Sequence, residues 1–110
     1  LVNEPTFPGC VMEVKPIGVF HMADDKGPDE KVICVPVSDP IWNSLENLSD
    51  INPHLLKEIE HFFQVYKDLE NKQVDVEGWG DVNEAYAIIK ECTERFNQIE
   101  NKPEGLFSIK

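Results

Sequence analysis

Two β-forming runs flank one acidic turn, and this arrangement constrains the fold more than any other feature of the sequence. From Cys10 to Met22 apolar and polar positions partly alternate, with Cys10, Met12 and Val14 on one side and Val11, Glu13 and Lys15 on the other. Alternation at period two marks a half-buried strand. Pro16 and Gly18 interrupt it before Val19-Phe20-His21-Met22 resumes it. A bend or bulge is therefore expected near Pro16, where a missing N–H breaks the ladder. Asp24 to Glu30 (DDKGPDE) reads as a polar turn, and Lys31 to Val37 (KVICVPV) as the returning strand of a hairpin. Strands are thus expected over about residues 10–37, after a first stretch, LVNEPTFPGC, that reads as a strand end followed by a loop.

Two amphipathic helices should follow. Asn52 suits an N-cap and Pro53 a first helical position. Leu55, Leu56, Ile59, Phe62, Phe63 and Tyr66 then form one stripe running to about Leu69, which predicts a helix over about 53–70. Gln73 to Glu77 alternates, with Val74 and Val76 on one side, as a short strand would before a Gly78-Trp79-Gly80 turn. Asp81 with Glu84 forms a capping box, and Ala85, Ile88, Ile89, Cys92, Phe96 and Ile99 give the second stripe, a helix over about 82–99. The tail from Asn101 has no periodicity and is expected to be extended or disordered. Strands first, then helices packed on one side, make an α+β fold. Two stripes need more cover than about three strands provide, so the chain taken alone looks short of core.

Charge narrows the partners. The 110 residues carry 21 Asp plus Glu against 10 Lys plus Arg, a formal charge of −11. Nucleic acid needs a basic face to neutralise phosphates, and an anionic membrane surface needs the same, so neither is an expected partner. Divalent cations, or anions already complexed to them, suit such a chain better. No apolar run is long enough to span a bilayer, and the first residues lack the basic-then-apolar order of a signal peptide. Cys10, Cys34 and Cys92 are odd in number, contain no CxxC, and sit in apolar patterns. They read as buried reduced thiols in a reducing compartment, the cytoplasm or an organelle matrix.

Two places offer chemistry. Asp24, Asp25 and Asp29 crowd the turn between the strands, where carboxylates repel unless a cation bridges them or water screens them. Spacing alone favours a solvated hairpin turn, since Asp, Gly and Pro are the usual turn residues. Tyr66-Lys67 ends the first helix, and composition alone favours a rim aromatic beside a lysine suited to a helix C-terminus. His21, His54 and His61 share no ligand spacing, His54 and His61 reading as surface positions and His21 as strand-borne.

Taken together, KPIGVFHMADDKGPDEKVICVP (15–36), HFFQVYKDLE (61–70) and VEGW (76–79) resemble the C-terminal part of a soluble family I inorganic pyrophosphatase, of the bacterial type, over about residues 1–98. The resemblance implies that Asp24 and Asp29 are metal-binding carboxylates, with Asp25 outside the ligand set. It implies that Lys31, Tyr66 and Lys67 bind the phosphates of the substrate. Two carboxylates can hold magnesium, ammonium groups offset phosphate charge, and a phenol donates a directed hydrogen bond. The implied activity is magnesium-dependent hydrolysis of inorganic diphosphate, supplied as its magnesium complex, to two orthophosphates. The implied protein is a homo-oligomer, a hexamer or smaller.

The same comparison shows what this stretch lacks. Family members carry an upstream strand with three aspartates (Asp-Pro-x-Asp-Val-Leu and a preceding Asp) and further Glu, Lys, Arg and Tyr residues of the site. They include the carboxylate thought to deprotonate the attacking water. Residues 1–110 are therefore expected to be the C-terminal portion of one domain, part of a five-stranded OB-like barrel with two helices packed on it. No catalytic base is expected within them, and alone they are expected to be inactive. The competing expectation is a non-catalytic, pyrophosphatase-like structural subunit.

Overall fold

The computed structural model describes residues 1–100. Three antiparallel strands form one sheet in the order β2-β1-β3, where β1 is Val14–Asp24, β2 is Gly27–Pro36 and β3 is Asp75–Gly80. Helix α1 (Pro53–Val65) lies between β2 and β3 in sequence, and helix α2 (Val82–Asn97) follows β3. The class is α+β.

The hairpin register decides everything that follows. Val19 pairs with Val32, Phe20 with Lys31, Met22 with Asp29 and Asp24 with Gly27. Opposed residues of antiparallel strands share a face. Phe20, Met22, Asp24, Asp29, Lys31 and Ile33 therefore lie on one face, and Val19, His21, Glu30 and Val32 on the other. A register shift between Pro16 and Gly18 inserts Ile17 as an extra residue, the bulge that Pro16 signals.

Several boundaries differ from the sequence expectations. β1 begins at Val14, not Cys10, because its partner β2 ends opposite it at Pro36; Cys10 instead donates its N–H to Phe7 O at 3.0 Å in a turn. The polar turn is also shorter, since only Asp25 and Lys26 lie outside the ladder. Gly27, at φ 112°, takes a backbone conformation that other residues avoid, and Pro28 is tolerated because β2 is an edge strand. Gly78-Trp79-Gly80 is strand, not turn. Gly78 at φ 109° accommodates a second bulge, which puts Val76 opposite Met22 and Trp79 opposite Phe20 on the same face.

α1 is capped as its sequence asks: Asn52 Oδ1 accepts from the His54 N–H at 2.9 Å, and Pro53 occupies the first turn. It stops at Val65, short of Leu69. The chain then turns through a short 3₁₀ segment, Asp68–Glu70, and Asn71 adopts a left-handed conformation at φ 54°. Leu69, counted with the apolar stripe in the sequence, is 98% exposed. α2 opens on the expected box, with Asp81 and Glu84 exchanging side-chain-to-backbone bonds of 2.9 Å.

The helices do not share a side of the sheet. Phe63 of α1 stacks on Phe20 at 5.5 Å, on the face that carries the hairpin aspartates. α2 borders the opposite face, where an open groove of about 700 Å³ is lined by Glu30, Val32, Ile88, Ile89, Cys92 and Phe96, with others. Ile17, Val19, Phe20, Met22 and Val35 are fully buried, each such side chain contributing roughly 1.5–3 kcal/mol. Among the described residues, α1 buries none fully and α2 only Ala85. That thin cover also corrects the reading of the thiols: Cys10 and Cys34 are half-buried, Cys92 is exposed, and all three are free. The tail from Asn101 lies outside the described residues.

Candidate functional site

Asp24 ends β1 with both carboxylate oxygens engaged. Oδ1 accepts from the Lys26 N–H at 2.9 Å, closing the turn, while Oδ2 meets Lys67 Nζ at 2.5 Å. The pair is well covered, the side chains being 7% and 16% exposed. The Lys67 ammonium, and after it the Lys26 N–H, hold the Asp24 carboxyl below its ordinary value. Reciprocally the Asp24 carboxylate, helped by the Tyr66 phenol, raises Lys67 against the opposing effect of desolvation. Lys67 reaches this position because α1 ends just before it; it belongs to no helix, and its role as a C-terminal helix charge falls away.

Asp29 and Lys31 form the second pair. Two apart on β2, they project from the same face as Asp24 and meet at 2.8 Å, both half-buried. The register makes Asp29 the diagonal neighbour of Asp24, roughly 7–8 Å away across the hairpin. Lys31 Nζ also lies 5.7 Å from the centre of the Phe63 ring. That ring meets Tyr66 edge-on at 5.7 Å, and Tyr66 stacks on Phe62 at 5.4 Å, with Lys67 Nζ 5.5 Å from the Tyr66 ring centre. Asp24, Asp29, Lys31, Tyr66 and Lys67 are thus one connected cluster. Asp25 stands apart in the turn, exposed, with Lys72 Nζ at 3.9 Å.

Two carboxylates diagonal to each other on one sheet face, each already balanced by an ammonium group, suit a hard divalent cation that keeps most of its waters. They do not make a closed metal cage: among the described residues no three His, Cys, Asp or Glu side chains converge on one point. His21 lies on the other face, His54 pairs with Glu58 at 3.2 Å on the surface, and His61 is exposed. The open grooves beside α1 and α2 are lined by residues outside this cluster.

Sequence reasoning missed two members of this neighbourhood. Lys72 carries no pattern in the sequence that marks it, yet it brings a further cation to Asp25 and Glu70. Phe63 reads in the sequence only as part of the apolar stripe. Its position three residues before Tyr66 was the available signal, since residues three apart on a helix share a face.

The family model described as inorganic pyrophosphatase matches residues 1–97. The chain belongs to the inorganic pyrophosphatase family. It is 51% identical over 98 residues to an inorganic pyrophosphatase of Methanosarcina mazei, a match covering 89% of this chain and 58% of that protein. It is 40% identical over 96 residues to one from Synechocystis, covering 87% and 57%. Among solved structures, the inorganic pyrophosphatase of Thermus thermophilus superposes with a TM-score of 0.84 at 36% identity, covering 88% of this chain and 57% of that one. That of Coxiella burnetii gives 0.82 at 39% identity, covering 87% and 59%. The chain therefore spans a little over half the length of the pyrophosphatases it matches. No helix among the described residues is long and apolar enough to cross a membrane.

Proposed function

We propose that the complete protein hydrolyses inorganic diphosphate to two orthophosphates, with magnesium as its cation, and that residues 1–110 supply the C-terminal part of its single domain. The observation that carries this is the pairing of two carboxylates with two ammonium groups on one sheet face, beside a phenol. Asp24 and Asp29 would hold the cation. When bound, magnesium supplies positive charge for the phosphates and lowers the pKa of a bound water. Lys31 and Lys67 offset phosphate charge, and the Tyr66 hydroxyl donates to a phosphate oxygen. The base for the attacking water lies in the remainder of the protein, whose strands complete a five-stranded, OB-like barrel.

The test is phosphate release from magnesium diphosphate by the complete protein. Turnover that chelation abolishes supports the reading. A folded protein without turnover would favour the alternative, a non-catalytic structural subunit of pyrophosphatase descent. The same reading makes the protein a cytoplasmic homo-oligomer, a hexamer or smaller. Sedimentation as a monomer at micromolar concentration would count against the assembly.

A further inference from the structure

Phe63 occupies an unusual place in the fold. One side of its ring stacks on Phe20, a fully buried side chain at the centre of β1 that also touches Trp79 at 4.8 Å. Elsewhere the same ring meets the ammonium of Lys31 at 5.7 Å and the edge of Tyr66 at 5.7 Å. Its ring thus joins a buried core ring to the Lys31 ammonium.

An ammonium held by a carboxylate and one held by an aromatic face differ in what they leave available. Asp29 accepts one of the three Lys31 N–H bonds, at 2.8 Å. The negative π face attracts the whole cation electrostatically and ties up none of its N–H donors in a conventional hydrogen bond. It also restricts a side chain that otherwise loses considerable rotamer freedom when fixed. A phosphate oxygen arriving beside Lys31 therefore finds an ammonium already placed, with N–H groups to spare.

We propose that Phe63 is a positioning residue for substrate binding, and that its ring holds the Lys31 ammonium toward the phosphates through a cation–π contact. The proposal rests on the phosphate-binding role given to Lys31 above. Phe63 touches no reacting atom and acts through Lys31.

The experiment uses the complete protein, with phenylalanines of increasing fluorination placed at position 63. Fluorine withdraws charge from the ring face while nearly preserving its shape, so a packing role would not respond in a graded way. Affinity for methylene diphosphonate, a non-hydrolysable diphosphate, is measured beside KM and kcat. KM and the analogue's Kd should rise stepwise with fluorination, reaching about threefold to tenfold, with kcat much less affected. Phe63→Leu should show the full effect and Phe63→Tyr should restore binding. In a Lys31→Met background the fluorination series should become flat. A flat series with Lys31 intact, or an equal slope without Lys31, overturns the proposal and leaves the diphosphatase reading standing. Loss of any binding defect in Lys31→Met itself would instead remove Lys31 from the phosphate site, and this proposal with it.

Discussion

Lys67 and Asp24 lie 43 residues apart in the chain, yet their side chains meet at 2.5 Å where α1 ends over the hairpin tip. The ion pair ties the turn that follows α1 to the end of β1. It also keeps a carboxylate ionised and a lysine charged at the place where the sheet gathers its other polar groups.

The sign of its pH dependence follows from both partners. Asp24 is held below its ordinary value of 3.8, so its contribution is complete above that pH and is lost as pH falls through the lowered value. Lys67 is raised above 10.5, so its contribution is complete below that pH and fades as pH rises past the raised value. Between those limits the pair contributes fully. Urea midpoints of the complete protein should therefore fall more steeply toward acid than those of Asp24→Asn. Some slope should remain in the variant, because Asp50, held low by the N–H groups of Glu46 and Asn47, titrates in the same direction. Parallel acid limbs would remove the pair from the account.

Tyr66→Phe separates binding from packing. The ring keeps its 5.4 Å stack on Phe62 and its edge contact with Phe63, so stability should change by less than about 0.5 kcal/mol. Loss of one phosphate hydrogen bond should raise KM for magnesium diphosphate about threefold to tenfold. Unchanged kinetics would mean that the hydroxyl does not touch substrate.

Gly18→Ala tests the β1 bulge. A Cβ there would lie inside the Leu48 side chain, which covers Gly18 from the loop before α1. Leu48 belongs to a packed cluster with Ile17, Ile33, Val35 and Ile51, so it has little room to yield. Destabilisation of about 1–3 kcal/mol is expected, from overpacking. The active-site kinetics of the folded variant should stay near wild type, and a neutral melting temperature would contradict the packing.

Much of this architecture was legible in the chain because its signals are local. Asn52-Pro53 and the Asp81–Glu84 box fix helix starts within one turn, and Pro16-Gly18 announces the bulge. Gly78-Trp79-Gly80 misled because glycine in a turn and glycine in a bulged strand look alike; only the pairing with Val19 and Phe20 decides between them. The placement of the helices on opposite faces was hidden for the same reason, since it depends on which partner Phe63 finds. Of the site, the aspartates were visible only as a crowded turn and Lys67 only as a residue near a helix end. Their meeting is a long-range event, and resemblance to a family, not spacing, singled them out.

Residues 1–110 expressed alone should neither hydrolyse diphosphate nor hold magnesium tightly. Phe62 is 56% exposed and Tyr86 55%, and the apolar grooves beside α1 and α2 stand open. Such surface favours a loosely packed or aggregating state, which dye binding and scattering would report. Phosphate release within about tenfold of the complete protein would show that the rest of the site is dispensable, each tenfold being ~1.4 kcal/mol of barrier.

The central claim is that Asp24 and Asp29 serve one cation in diphosphate hydrolysis, and a magnesium titration of the complete protein tests it most directly. Phosphate release is followed for the wild type, Asp24→Asn and Asp29→Asn at saturating diphosphate. Each substitution should move half-maximal activity to higher magnesium, by about 10–100-fold if one charged ligand is lost, and should lower the plateau. Asp25→Asn, on the exposed turn beside them, should move neither. Superimposable curves for the wild type and the two site variants would contradict the account.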